Sequence, residues 1–212
     1  MKSMIEEKHN ARTEFISALK ANQDAFGIGL TSEQCERLAD YHGLILENNA
    51  LLHLVGPAAP EEFAVRHVLE SLTLLKHLPS DACIADVGTG AGLPLIPCLL
   101  VRPGLHGSLI ESKEKKAAFL RTVVSHFALE ERTSVINKQF SEVPRPNVSY
   151  VTCRALDRFT QKLPALTKWS GRSTMLLFGG PSLREALQLR GMKYTEELMP
   201  LSEQRYLFIT GK

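Results

Sequence analysis

The sequence predicts an α/β fold: a doubly wound, mostly parallel sheet of seven strands, preceded by a helical extension. Three observations carry that prediction. Strand and helix signals alternate from residue 82 to residue 189, the rhythm of parallel βα units. Two strand signals, 193–199 and 205–210, then follow with no helix between them, as an antiparallel closing pair requires. The first eighty residues carry helical signals only, and no Gly/Ser-rich linker separates them from the first strand. Residues 1–80 are therefore expected to pack, as an extension, on a core of residues 81–212, the whole forming one compact unit.

Each element has its own warrant. Residues 5–24 carry Phe15, Ile16 and Leu19 at helical spacing. Thr31 followed by Gln34 reads as a capping box opening a helix over 32–48, with Leu38, Tyr41, Leu44 and Ile45 as its apolar stripe. Gly56-Pro57 interrupts the chain. Pro60-Glu61-Glu62 then opens a helix to residue 77, ended by Pro79-Ser80-Asp81. Strands are expected at 82–86, 107–111, 134–137, 148–153 and 173–178, with helices at 93–101, 113–127, 157–169 and 182–189. In the 113–127 helix, Ala117, Phe119, Leu120, Val123, Val124 and Phe127 form the inward face, and Lys113, Lys115, Lys116 and Arg121 point out.

The stretch most informative about function is Ala82–Pro97, ACIADVGTGAGLPLIP. A short buried strand ends in an acid, three glycines alternate, and a helix begins. Such a turn aims backbone N–H groups at a ligand beyond the carboxyl end of a sheet. A dinucleotide fingerprint would need a third glycine where Leu93 stands, and no P-loop string occurs. What stands there is D-x-G-x-G-x-G, Asp86 to Gly92. It resembles motif I of the S-adenosylmethionine (SAM) methyltransferases; an ordinary tight turn is the alternative. SAM carries an ammonium and a sulfonium and no phosphate, so an acid beside the glycines is tolerable. Glu111 ends the second strand, 25 residues after Asp86, near the offset at which an acid takes ribose hydroxyls in related sheets. Arg154 follows the fourth strand at the same edge. Spacing alone leaves two roles open to it: gripping a carboxylate or phosphate, or pairing with Asp86 or Asp157.

Composition narrows the classes. Charged residues are 23% and hydrophobic residues 44% of the 212, as in globular domains, and a net charge of +2 leaves any nucleic-acid contact to a local basic face. The basic residues of 113–121, with Arg154, Arg158, Lys162 and Lys168, are candidates for that face. Cys35, Cys83, Cys98 and Cys153 are scattered, so neither a metal site nor a disulfide framework is expected. Pro97-Cys98 has the dipeptide of C5-pyrimidine methylation, but inside a helix; inert buried thiols are expected at Cys98 and Cys153. No string of the N-P-P-Y type follows the fourth strand, which disfavours adenine-N6 transfer. No secretory signal or membrane span is read, and a cytoplasmic monomer is expected.

From Tyr41 to Ile209 the chain resembles the RsmG (GidB) family, bacterial 16S rRNA guanine-N7 methyltransferases. The strings that carry the resemblance are Arg66–Leu72 (RHVLESL), Asp86–Pro94 followed by Ile96-Pro97, Val101-Arg102-Pro103, Phe119-Leu120-Arg121, Arg154-Ala155 and Arg205. The resemblance implies the Rossmann-like architecture of class I SAM methyltransferases and N7-methylation of a guanine in 16S rRNA of the small ribosomal subunit. It implies SAM as cofactor, Gly88 and Leu93 on its site, and Phe140 and Ser141 beside the adenine. It also implies that Arg154 contacts cofactor or substrate, and Arg154→Ala is expected to cut methyl transfer while sparing the fold. The cofactor set so read is Asp86, Gly88, Gly90, Gly92, Leu93, Glu111, Phe140, Ser141 and Arg154, with Arg154 also the catalytic candidate and no metal. The sequence departs from the family at Gln139–Ser141 where Arg-apolar-Glu is usual, at Glu111 for Asp, at Asn48 for Trp and at Gly179 for Lys. Other targets (another RNA position, a protein, a small molecule) and a non-catalytic RNA-binding module are the alternatives.

Overall fold

The computed structural model describes residues 2–211, the side chains of 2–5 and 7 excepted; Met1 and Lys212, the outer ends of the two expected stretches, lie outside it. Seven strands form one sheet: β1 (Cys83–Val87), β2 (His106–Ile110), β3 (Thr133–Ile136), β4 (Tyr150–Arg154), β5 (Thr174–Gly179), β6 (Tyr194–Leu198) and β7 (Tyr206–Thr210). Their spatial order is β3-β2-β1-β4-β5-β7-β6. β1 to β5 run parallel, and β7 lies antiparallel between β5 and β6. The strand order reverses between β1 and β4. In open α/β sheets that is where a crevice forms beyond the carboxyl ends.

The two-residue period of the strands distributes their side chains to two apolar layers. Ile84, Leu176 and Phe178 point to one side, where the helical extension packs with Leu95–Val101 (α4) and Glu114–His126 (α5). Ala85, Val87, Met175 and Leu177 point to the other, under Phe159–Ser170 (α6) and Pro181–Leu189 (α7). The inward residues expected on α5 are all buried.

The extension comprises α1 (Lys2–Asn22), α2 (Ser32–Leu52) and a helical rod, α3, over 60–76. The capping box is present: Thr31 Oγ1 accepts from Gln34 N at 3.1 Å, and Gln34 Oε1 accepts from Thr31 N at 2.8 Å. The Gln34 amide also donates to Val101 O at 2.9 Å, tying α2 to α4. One continuous apolar cluster runs from Phe15 of α1 to Leu207 of β7. Arg102 donates to Leu75 O and Leu78 O, closing the end of α3 against α4. Within α3, Ala64–Leu69 widens into a π-helix, a form that recurs at functional sites.

Boundaries differ from the sequence reading in three places that matter. β1 runs to Val87, so Asp86 is interior to the strand rather than at its open end. β4 includes Arg154. The helix after the glycines starts at Leu95, not residue 93, because Gly92 N and Leu93 N both bond back to Thr89 O and spend the intervening residues in turns.

Gly179, where the family usually has lysine, is fixed by its neighbour. A Cβ there would lie 2.5 Å from Leu183 Cδ2 and 2.8 Å from Leu183 Cβ, and the latter cannot swing aside without moving α7. Gly179→Lys should therefore destabilise the chain by about 1–3 kcal/mol of overpacking, read as a lowered Tm.

Candidate active site

Beyond the carboxyl ends of β1, β2 and β4 lies a cavity of about 530 Å³. Two larger hollows, of about 780 and 610 Å³, lie away from those ends, one against α1 and α2 and one at the amino end of β5. The cavity's wall includes Gly88, Gly90, Leu93, Glu111, Gln139 and Arg154. The glycines are required by the backbone: Gly88, Gly90 and Gly92 have φ of 68°, 58° and 102°. A Cβ on Gly88 would stand 2.5 Å from Leu156 Cδ1, and one on Gly92 would collide with Ile96. Tyr41, fully buried in α2, donates from its hydroxyl to Ala91 O at 3.0 Å, so the extension braces the glycine turn directly.

Glu111 sits immediately after β2, only 6% exposed, and accepts from Gly90 N at 3.0 Å and Lys113 N at 2.7 Å. On the near rim, the Asn49 side chain pairs with both backbone groups of Val55 at 3.0 Å and shapes the loop that carries Leu54, Val55 and Gly56. Lys113, Lys116 and Lys162 line the same cavity; Lys162 lies 4.0 Å from Asp157. Lys116 also donates to His53 O. The loop after β4 crosses the mouth with Ala155 and Arg158 both in left-handed backbone, at φ 51° and 52°.

Several expected site residues stand elsewhere. Asp86 is fully buried and is not on the cavity wall; its Oδ2 accepts the Thr89 hydroxyl at 2.6 Å and its Oδ1 has no hydrogen-bond partner among the described residues. The reason is the longer β1, which keeps the carboxyl inside the sheet layer. Gly92 turns its face to Ile96 rather than to the cavity. Phe140 packs edge-to-face on Trp169 at 5.9 Å, and Ser141 is exposed in the same turn; Gln139 is the member of that trio on the wall. Gly88, Gly90, Leu93, Glu111 and Arg154 do line the cavity.

Arg154 pairs with neither Asp86 nor Asp157. It is held by α3: its Nη2 donates to Arg66 O at 2.6 Å and to Glu70 Oε2 at 3.1 Å, Nη1 reaches Ser71 Oγ at 3.5 Å, and the guanidinium lies over the Phe178 ring at 5.4 Å. Cys98 and Cys153 are buried thiols whose pKa burial pushes up, so neither is a ready nucleophile. Among the described residues no group of three His, Cys, Asp or Glu could hold a metal, and no helix is long and apolar enough to cross a membrane.

Burial also sets the titration. It raises the Asp86 carboxyl to about 8, against the pull of the Thr89 hydrogen bond. It lowers His42, stacked on Phe15 and tilted against Phe63, to about 4, and likewise His67, which also faces Arg154, Arg66 and Arg205. Between pH 4 and 6.5 the unfolded chain holds one more proton at each histidine and the folded chain one more at Asp86. Stability from these three groups therefore rises by about 1.4 kcal/mol per pH unit. Above 6.5 only Asp86 still differs, and stability falls at the same rate up to about 8. Tm measured against pH should peak near 6.5, and Asp86→Asn should flatten the alkaline limb.

Residues 34–203 match the family described as GidB, rRNA small subunit methyltransferase G. This chain belongs to that family. A relative, the ribosomal RNA small subunit methyltransferase G of Pelotomaculum thermopropionicum, is 41% identical over 114 residues, 53% of this chain and 48% of that protein. The chain thus matches about half the length of that relative. The protein of the same name from Sorangium cellulosum is 31% identical over 87% of this chain and 77% of its own. Among solved structures, the mitomycin 7-O-methyltransferase MmcR superposes with a TM-score of 0.59 over 96% of this chain and 68% of its own, at 14% identity, which shows a shared fold. The cavity fits SAM, the cofactor of this family: a glycine turn in which a Cβ on Gly88 would meet Leu156 at the wall, and an acid at the β2 end, are parts a nucleoside with a sulfonium needs.

Proposed function

We propose that this chain transfers a methyl group from SAM to N7 of a guanine in 16S rRNA of the small ribosomal subunit. The observation that carries the reading is the glycine cradle at the β1–β4 switch point, lying inside the segment that matches the GidB family. Gly88, Gly90 and Leu93 would hold the cofactor's amino-acid end, Glu111 its ribose, and Gln139 its adenine side. The cofactor supplies an electrophilic methyl group.

Guanine N7 presents a lone pair on the base edge and loses no proton when it is methylated. No general base is then needed, which agrees with the groups present: Asp86 is walled off, His67 titrates near 4, and the thiols are buried. What remains for the protein is alignment and exclusion of water. Leu156 and Leu93 provide apolar walls, while Lys113, Lys116 and Lys162 offer ammonium groups to RNA phosphates at the mouth. The test is labelled methyl transfer to small subunits from a strain lacking the modification, with the product nucleoside identified by mass spectrometry. Labelled 7-methylguanosine in 16S rRNA is the expected result; no label, or label elsewhere, would refute the reading.

A further inference from the structure

Glu70 belongs to neither the cavity wall nor the residues singled out from the sequence for chemistry, yet it is the most deeply buried charged partner beside the site. It is 1% exposed, in α3, directly after the π-helix. Its two oxygens hold two different arginines: Oε2 accepts from Arg154 Nη2 at 3.1 Å, and Oε1 from Arg205 Nε at 2.6 Å. Arg154 comes from β4 and Arg205 from the turn before β7, so one carboxylate joins three separate parts of the chain. The neighbouring Arg66 is occupied by Glu62 on its own helix.

A buried ion pair is a poor brace, because desolvating the charges offsets most of their attraction; an apolar contact would hold α3 to the sheet as well. What an apolar contact could not do is fix the direction of two guanidiniums. Glu70 takes only the Nε edge of Arg205, whose side chain stays one-third exposed and whose two terminal nitrogens have no partner among the described residues. Arg154, meanwhile, reaches the cavity wall. One negative charge faces two positive ones, leaving a surplus positive charge beside the pocket with free N–H donors.

We propose that Glu70 is a positioning residue for the methyl transfer: it presets Arg154 at the wall and Arg205 beside it to receive a phosphate of the RNA next to the target base. This rests on the function proposed above. Held in place, the pair meets the phosphate without first ordering two long side chains.

The test compares unaltered protein, Glu70→Gln, Arg205→Gln and the double variant on small subunits, at a temperature where circular dichroism shows all four folded. Glu70→Gln keeps the side chain's size and one acceptor but removes the charge. It should lower the rate of transfer at least tenfold, leave SAM affinity by calorimetry within twofold, and make the dependence of subunit KM on salt shallower by about one power of concentration. The double variant should be no slower than the slower single one, because Glu70 acts through the arginines it holds, Arg205 among them. Glu70→Gln at the unaltered rate, an unchanged salt slope, multiplicative losses in the double variant, or SAM affinity lost in step with rate would each overturn the proposal. An unaltered protein that labels no small subunit would overturn the proposed function itself, a result separable from all of these.

Discussion

Gly88→Asp should weaken SAM binding at least about a hundredfold by calorimetry. Two costs add up. The φ of 68° at this position disfavours any L side chain by about 1–2 kcal/mol. The new Cβ would also overlap Leu156 Cδ1, at 2.5 Å, pushing that side chain along the cavity wall it shares with Gly88, and it would carry a carboxylate to that wall. A hundredfold in Kd corresponds to about 2.7 kcal/mol. Gly43→Ala in α2 is the control: nothing lies within 4 Å of its Cβ position, so affinity should stay unchanged. Undiminished binding by Gly88→Asp would remove the glycine turn from the cofactor site.

Arg154→Ala should lower Tm by roughly 10 °C as well as slow methyl transfer. Spacing alone left open a grip on a ligand or a pairing with Asp86 or Asp157, and the family resemblance suggested that the fold would tolerate its loss. The structure shows it spanning Arg66 O, Glu70 and Ser71 and lying on Phe178. Truncation leaves Glu70 buried with one partner fewer, a loss of about 3–5 kcal/mol when a buried pair is broken. For a chain of this length each kcal/mol moves Tm by about 2–4 °C. A melting curve superposable on that of the unaltered protein would show that the clamp contributes nothing.

Local chemistry made much of this molecule legible. Alternation of apolar runs placed all seven strands, the paired closing strands placed the antiparallel β6 and β7, and Thr31 with Gln34 announced a cap that is present to the atom. The glycine turn was readable because three alternate residues each take positive φ. The site's other half was not, because its contacts are long in sequence: Glu70 lies 84 residues from Arg154 and 135 from Arg205. The string Arg66–Leu72 drew attention as a resemblance, but only the fold brings Glu70 to two arginines. Asp86 was misplaced for a smaller reason. One extra residue of β1 carries its carboxyl from the open edge into the sheet's interior, where burial leaves it protonated near neutral pH.

Glu111 has a consequence for how tightly a nucleoside can be held. Both of its oxygens are already engaged, by the amides of Gly90 and Lys113. Each oxygen keeps a second lone pair, so hydroxyls can be added without displacing either amide. The two amides aim the carboxylate before a sugar arrives, and docking then costs little side-chain freedom at this position.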